Sequence, residues 1–505
     1  MNMSRSGPCR LLASLLVMFF GALGWAGDAM GQATDVRGSR PLIRTVGFGD
    51  AGQLPESLLM ERAVRAASAL AQWDFLATSD DPSRALKAYV ELDDPAYRWE
   101  VRRTGEVAGA PFTELLLTSQ CWRGISWRHQ LFVIWPGSMP EDAGHAFLHI
   151  DGGRWDERLA DLDHAPDLPR QAPLFAVIAE LLATPLAIVR QVPFQPLFDG
   201  LTEDRLVSYT FREFLRTGEM DWPLLLPMVK SAVRAMDAVT EVARDQEGLE
   251  LRGFTVSGGS KRGWTTWLTA AIDPRVQAVV PMAIDVLEME AHLEYQIAVW
   301  GEYSEQIRDY IDRGIHEELD TERGQALVTM VDPIRYRDHF TMPKLMVIGT
   351  NDPYWPLDAL NLYWDQLPEP RWVLYLPNTG HSADDYPRLL GGLAVLHRNV
   401  VEGDPPLPKL RWQFEEGRDA LALTVGSDLK PDRIRAWTAR SPTRDFREAE
   451  WTSHACEALD DDAWLCHLLR PGEGYAALFA ELVYPGVFVV PLHLSTQVRV
   501  VGGDG

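Results

Sequence analysis

Short, nearly continuous apolar runs recur at 146–150, 187–192, 251–256, 276–280, 345–348 and 372–376, and most are separated by segments long enough for a helix. A strand that is apolar at every position has no face to give to water. It must lie in a sheet covered on both sides, and a mostly parallel sheet with crossover helices is the usual solution. The rhythm therefore predicts an α/β architecture. Ahead of it, 97–102, 113–117 and 127–134 read as strands separated by Gly and Pro, an antiparallel start to the same sheet. The stretch 34–81 is polar and then helical, with Leu58, Ala63 and 66–70 as candidate core contacts.

Two composition shifts mark the organisation. Residues 286–340 form a charged, helical insertion with Tyr295, Trp300, Tyr303 and Tyr310, of a size that suits a cap over a site. The Pro-rich stretch Val401-Glu-Gly-Asp-Pro-Pro-Leu-Pro408 reads as a stiff linker. Beyond it strand signals return at 410–414, 421–425, 434–439, 464–468, 477–483 and 487–501 with no helices between them, which predicts a β-sandwich of immunoglobulin or fibronectin type. The expected division is a leader at 1–33, a main domain at 34–405 and a sandwich at 406–505.

The leader has its own logic. Arg5 and Arg10 precede the uncharged run LLASLLVMFFGALGWA at 11–26, which is short of the roughly 20 apolar residues that span a bilayer. Ala29-Met30-Gly31 and Gly31-Gln32-Ala33 offer small-x-small cleavage patterns, so a signal peptide ending at 31 or 33 is expected, with an uncleaved anchor as the rival. No other segment is long and apolar enough to span, so the expected location is periplasmic or secreted, where disulfides persist. Cys9 leaves with the leader. Cys456 and Cys466 are symmetric about Asp461 in CEALDDDAWLC, where Asp460-Asp461-Asp462 reads as a hairpin turn. Facing positions on antiparallel strands are close enough for a bridge, so the pair is a candidate disulfide and Cys121 a buried thiol.

The balance of 48 Lys plus Arg against 72 Asp plus Glu gives a formal net charge of −24, with no basic run to set against it, which argues against nucleic acid as a partner. The 18 Trp are generous for 505 residues and are expected mainly in a packed interior rather than as sugar-stacking platforms.

The chemistry centres on Leu251-Arg-Gly-Phe-Thr-Val-Ser-Gly-Gly-Ser260-Lys-Arg-Gly263 and the helix-like stretch after it. Strand, sharp turn and helix are what a nucleophile elbow needs, with the serine at a strained apex and small neighbours where strand and helix approach. Gly258 and Gly263 flank Ser260, although Arg262 occupies the second small position of G-x-S-x-G. Ser257 is a rival, and a structural serine in a tight turn is the plain alternative. A phosphate cradle is disfavoured because neither G-x-x-x-x-G-K-[ST] nor G-x-G-x-x-G is present here. Downstream, 344–352 is an apolar strand ending in Asp352, and 372–381 is another that leads through a glycine turn to His381. The chain order Ser260, Asp352, His381 is that of an α/β-hydrolase triad, with Asp285 after the 276–284 run as an alternative acid.

An oxyanion would need donors, expected from the N–H of Lys261 and from Gly152 or Gly153 in the turn after the 146–150 strand. Lys261 and Arg262 at a helix start oppose its dipole, so one of them is a candidate to face a negative substrate group, against the alternative of cations paired with nearby acids. His145 and His149 share a strand face but lack the partners of a zinc site, and the 460–462 triplet lacks the rest of a calcium loop, so no metal and no cofactor is expected.

Ser260-Lys-Arg-Gly-Trp-Thr-Thr-Trp-Leu-Thr-Ala-Ala, Asp273-Pro-Arg-Val and Pro281-Met-Ala-Ile-Asp285 resemble the PhoPQ-activated pathogenicity-related protein family. So do Val331-Asp-Pro-Ile-Arg-Tyr, Met342-Pro-Lys, Gly349-Thr-Asn-Asp-Pro-Tyr-Trp-Pro356 and Pro377-Asn-Thr-Gly-His381, and the likeness runs from about Tyr89 to Val500. The resemblance implies an exported α/β-hydrolase-like protein with a C-terminal β-sandwich. The S-K-R-G elbow is also similar in layout to the S-R-x-G elbow of glucuronoyl esterases, which implies a carboxylate-bearing ester. The expectation is a serine hydrolase cleaving a small-molecule ester or peptide, with a sandwich available for protein or glycan contact. A binding or signalling protein on the same scaffold is the rival.

Overall fold

The computed structural model describes residues 81–502 apart from 141–142, 162–166 and 461, together with 64 and 67. The expected leader, most of the expectations for 34–80 and the turn centre Asp461 lie outside the described residues, and Ala67, one of the candidate core contacts, is exposed. From Val64 onward the chain clusters as one compact unit.

Helix α1 (Pro82–Glu91) leads into an antiparallel meander of β1 (Arg98–Val107), β2 (Ala110–Trp122) and β3 (Ile125–Ile134). Then the pattern becomes βα: β4 (His145–Ile150), α2 (Ala172–Leu182), β5 (Leu186–Val189), α3 (Glu203–Thr217), α4 (Leu225–Val242), β6 (Gly253–Gly259), α5 (Lys261–Ile272) and β7 (Val276–Met282). The insertion follows, with α6 (Met289–Trp300), several short turns and α7 (Glu322–Val331), before β8 (Lys344–Gly349), β9 (Arg371–Leu376) and α8 (Tyr386–Glu402). Strands β5 and β8 are buried at every position, as their uninterrupted apolar character requires.

Strand order settles the fold. The sheet runs β1-β2-β3-β5-β4-β6-β7-β8-β9, with β3 antiparallel to β5 and the pairs from β5 to β9 all parallel. From β2 to β9 this is the order of the α/β-hydrolase fold. It places the C-terminal ends of β6, β8 and β9 along one edge, where the turns carrying Ser260, Asp352 and His381 converge.

The C-terminal strands do not form a separate body. β10 (Leu410–Glu416), β11 (Ala420–Ser427), β14 (Glu457–Ala458) and β15 (Ala463–Leu469) make a four-stranded sheet in the order β10-β11-β15-β14. β12 (Arg433–Ser441), β13 (Thr452–Ala455), β16 (Tyr475–Val487), β17 (Val490–Ser495) and β18 (Arg499–Gly502) instead extend the large sheet, which reaches 14 strands. The join is β17 against β9, where Ser495 faces Val373 and its hydroxyl accepts from the Tyr375 N–H at 3.0 Å. One layer of the sandwich is thus a continuation of the hydrolase sheet.

Where the chain passes from β13 in one layer to β14 in the other, Cys456 is disulfide-bonded to Cys466, with Cα atoms 4.5 Å apart. The pairing of Glu457 with Leu465 and Ala458 with Trp464 sets that register. Cys121 is buried and stands outside the disulfide. The tryptophans are mostly interior: Trp122 meets Trp127 and Trp222 edge-on at 5.7 and 6.1 Å, and no tryptophan is among the exposed large hydrophobics of the described residues.

Buried histidines give this core a pH dependence. His397 on α8 is held between the hydroxyls of Thr184 and Thr255, each at 2.8 Å, and burial lowers its pKa to about 3. A lowered value means the unfolded chain binds the extra proton first. The stabilisation is therefore present above about 6.5 and is lost as pH falls towards the folded value. His397→Gln is expected to cost stability at pH 7.5, with its gap to the parent narrowing by about 1.4 kcal/mol for each pH unit below 6.5. Urea denaturation at pH 7.5 and 5.5 checks this, and a constant gap would refute it.

Candidate active site

Ser260 sits between β6 and α5 with φ 56° and ψ −128°, a strained backbone for any residue with a side chain. Its N–H donates to the Met282 carbonyl of β7 at 2.8 Å, which ties the apex down. The glycine spacing now has a reason. A Cβ at Gly258 would stand 2.6 Å from the Arg262 carbonyl, and one at Gly263 would stand 2.9 Å from the Gly258 carbonyl and 2.6 Å from Ile284. Strand and helix therefore meet at 258 and 263, and position 262 can carry arginine. Ser257, the rival, is buried within β6 with its hydroxyl against His149 Nδ1 at 2.9 Å. His145, on the same face as His149, bonds Gln277 at 2.6 Å.

The structure brings Ser260, His381 and Asp352 into one chain of hydrogen bonds. Ser260 Oγ is 2.8 Å from His381 Nε2, and His381 Nδ1 is 2.8 Å from Asp352 Oδ2. With Asp352 accepting, Nδ1 carries the proton and Nε2 is left to accept from the serine hydroxyl. The Tyr354 ring stacks on the imidazole with centroids 4.1 Å apart, while its own N–H donates to Asp352 Oδ1 at 2.9 Å. Asp285, the alternative acid, is elsewhere: buried beside His292, 3.7 Å from Nε2, with burial pushing its pKa up to about 7. A carboxyl that sits beside His292 and away from His381 does not orient that imidazole.

For the cations of the elbow, the alternative of pairing with nearby acids is the one the geometry favours. Lys261 Nζ pairs with Glu203 at 2.9 Å and Asp204 at 3.2 Å, and Arg262 holds Glu203 through both terminal nitrogens at 2.7 and 2.8 Å while its Nε donates to the Val192 carbonyl. Neither is left to meet a negative substrate group. Burial alone would raise the Glu203 pKa, but Arg262 and Lys261 outweigh it and hold the carboxyl well below its usual range. Asp204 also accepts from the Tyr310 and Tyr354 hydroxyls, at 3.0 and 3.3 Å. These acids are the ion-pair partners that a bare cation run at a helix start demands. The sequence signal for them was two acids in the first turn of a helix, but nothing local pointed them at residues 261 and 262.

Gly152 is not a free donor either. Its N–H goes to the Asp151 carboxyl at 2.8 Å, and its α-carbon lies under the Arg262 guanidinium, where a Cβ would be 2.5 Å from Nη2. The Gly153 carbonyl accepts from Gln195 Nε2 at 3.0 Å, and its α-carbon faces Arg190 and Gln191. Gly152 thus packs the turn against the elbow helix, and Gly153 packs it against the segment that follows β5. Lys261 remains a donor candidate, since as the first residue of α5 its N–H has no carbonyl one turn back to reach.

The insertion closes over this site. A pocket of about 780 Å³, its open mouth included, has Ser260, Lys261 and Tyr354 on its floor. Its walls are Phe211, Trp264 and Ile284 from the body, and Val286, Met289, Leu293, Ile307, Tyr310, Ile311, Ile315 and Leu319 from the cap, with His292, Gln296 and His316 among them. Trp264 and Trp355 reach the pocket, whereas Trp267 is buried against Phe340 at 4.8 Å.

The sequence profile of the PhoPQ-activated pathogenicity-related protein family matches residues 86–447. The chain belongs to that family. Among curated proteins, Autocrine proliferation repressor protein A of Dictyostelium discoideum is 29% identical over 437 residues, covering 80% of this chain and 86% of that protein. Similar solved structures include an acetyl xylan esterase from Paenibacillus sp. R4, at TM-score 0.40 and 14% identity, covering 62% of this chain and 93% of that one. Acetyl xylan esterase 1 from Thermoanaerobacterium sp. follows, at TM-score 0.38 and 14% identity over 65% of this chain and 93% of that one. The family match spans 86–447, so 1–85 and 448–505 stand outside it.

Proposed function

We propose that the protein is an exported serine hydrolase that cleaves an ester or amide bond through an acyl-enzyme. The unbroken Ser260–His381–Asp352 chain, at 2.8 Å per link and with its serine on a strained apex, carries this reading. Ser260 Oγ attacks the carbonyl carbon as its proton passes to His381 Nε2, and the same imidazole returns that proton to the departing alcohol or amine. Asp352 holds the tautomer and faces the positive ring, and the Lys261 N–H donates to the oxyanion. Water, deprotonated by the imidazole, then releases the acid. No metal or organic cofactor enters these steps.

The apolar walls favour a substrate with an apolar group beside the scissile carbonyl. A carboxylate-bearing ester is disfavoured, because the elbow's two cations are already neutralised by Glu203 and Asp204. Export rests on the leader at 1–33; among the described residues no helix is long and apolar enough to cross a membrane. A second reading, a binding or signalling protein on a hydrolase scaffold, draws on the proliferation-repressor name of the Dictyostelium relative. A fluorophosphonate probe separates the two. The parent is expected to label and Ser260→Ala not to, and a folded parent that stays unlabelled would favour the second reading.

A further inference from the structure

The loop 442–451, between β12 and β13 of the sandwich, reaches the two turns that carry Asp352 and His381. Asn351, adjacent to Asp352, donates from Nδ2 to the Ala449 carbonyl at 2.8 Å and lies 3.1 Å and 3.3 Å from those of Arg447 and Phe446. Asn378, three residues before His381 and in a left-handed conformation at φ 57°, grips Trp451 at two points. Its Oδ1 accepts the Trp451 N–H at 2.7 Å and its Nδ2 donates to the Trp451 carbonyl at 3.0 Å. The same loop holds the cap: Arg444 bonds the Tyr295 hydroxyl and Asp358, both at 2.8 Å, and the Arg447 guanidinium lies 4.3 Å over the Trp300 ring.

The loop is itself well anchored. Phe446 and Trp451 are each 2% exposed, and Trp451 packs on Phe479 of β16 at 5.2 Å. By contrast, Asp352 and His381 lie beyond the ends of β8 and β9, where the sheet ladder has stopped. A turn without a ladder needs another reference to hold a side chain to a fraction of an ångström. Asparagine suits that task because its amide both donates and accepts; alanine loses both functions and aspartate loses the donor.

We propose that the 442–451 loop is a positioning element of the active site, acting through Asn351 on Asp352 and through Asn378 on His381. The sandwich is then part of the site's architecture, and the acid turn, the histidine turn and the cap share one anchor. The inference rests on the Ser260–His381–Asp352 reading above.

The test is a double-mutant cycle on the purified full-length chain with p-nitrophenyl butyrate as probe. Asn351→Ala is expected to lower kcat by about 10- to 100-fold with KM changed less than about threefold. In an Asp352→Ala background the same substitution is expected to lower the residual kcat by less than about threefold, because its route to the reaction is already gone. A merely structural role would act equally in both backgrounds. Equal losses, or no loss in the parent background, overturn the inference. Asn378→Ala read against His381→Ala is the parallel cycle should Asn351→Ala be recovered unfolded, and it is judged by the same two outcomes. An Asp352→Ala protein with parental kcat would overturn the hydrogen-bonded relay itself, and this inference with it.

Discussion

His381→Ala is expected to hydrolyse p-nitrophenyl butyrate about 10³- to 10⁴-fold more slowly than the parent while remaining folded. The imidazole is within hydrogen-bond reach of both Ser260 Oγ and Asp352, at 2.8 Å from each, so its removal takes away the acceptor that faces the serine proton. Asp285→Asn is the informative control. That carboxyl lies beside His292 rather than His381, and burial pushes its pKa up to about 7, so replacing it should change turnover by less than about threefold. A large loss with Asp285→Asn and none with Asp352→Asn would reassign the acid and refute the arrangement argued above.

Glu203→Ala should cost stability rather than mere turnover. It would strip Arg262, whose side chain is 11% exposed, of both charged hydrogen bonds, and leave Lys261, at 7%, with Asp204 alone. Breaking a buried pair from one side leaves an uncompensated cation, for which about 3 kcal/mol is expected here. That lies at the low end of the usual range, because the Glu203 side chain keeps 41% of its surface exposed and water can partly take its place. The carboxyl's depressed pKa means its contribution is present above the ordinary glutamate value and is lost only as pH falls through the folded one. The deficit in urea midpoint should therefore be the same at pH 8 and pH 6. A deficit below about 1 kcal/mol would mean that solvent, not Glu203, satisfies the elbow cations.

Much of the site was legible because its chemistry is local in sequence. A glycine-flanked serine between an apolar strand and a helix, an acid at the end of one strand and a histidine just past another each announce themselves within a dozen residues. Their order along the chain then selects the fold, since a parallel sheet puts all strand ends of one sense on one edge. The same locality failed at the cations. Whether Lys261 and Arg262 were free or paired stayed open because Glu203 and Asp204 lie far earlier in the chain, and Gly152 looked like a donor because it was read without the Asp151 carboxyl that takes its N–H.

The sandwich makes the same point on a larger scale. Its strands were readable one by one from alternation and turn residues, and the symmetric placement of Cys456 and Cys466 about an acidic turn pointed to the bridge that the structure contains. What alternation cannot encode is which sheet a strand joins, because the in-and-out period of two is the same whichever neighbour supplies the hydrogen bonds. That β17 pairs with β9, that 14 strands form one sheet and that Asn351 and Asn378 meet a loop some 70 to 100 residues away are consequences of packing. The sequence by itself determined the elements and the chemistry each carries at its end. Only the tertiary structure decided which charges are already paired and which distant loop holds the acid and the histidine in place, because both depend on distances between segments that no local pattern records.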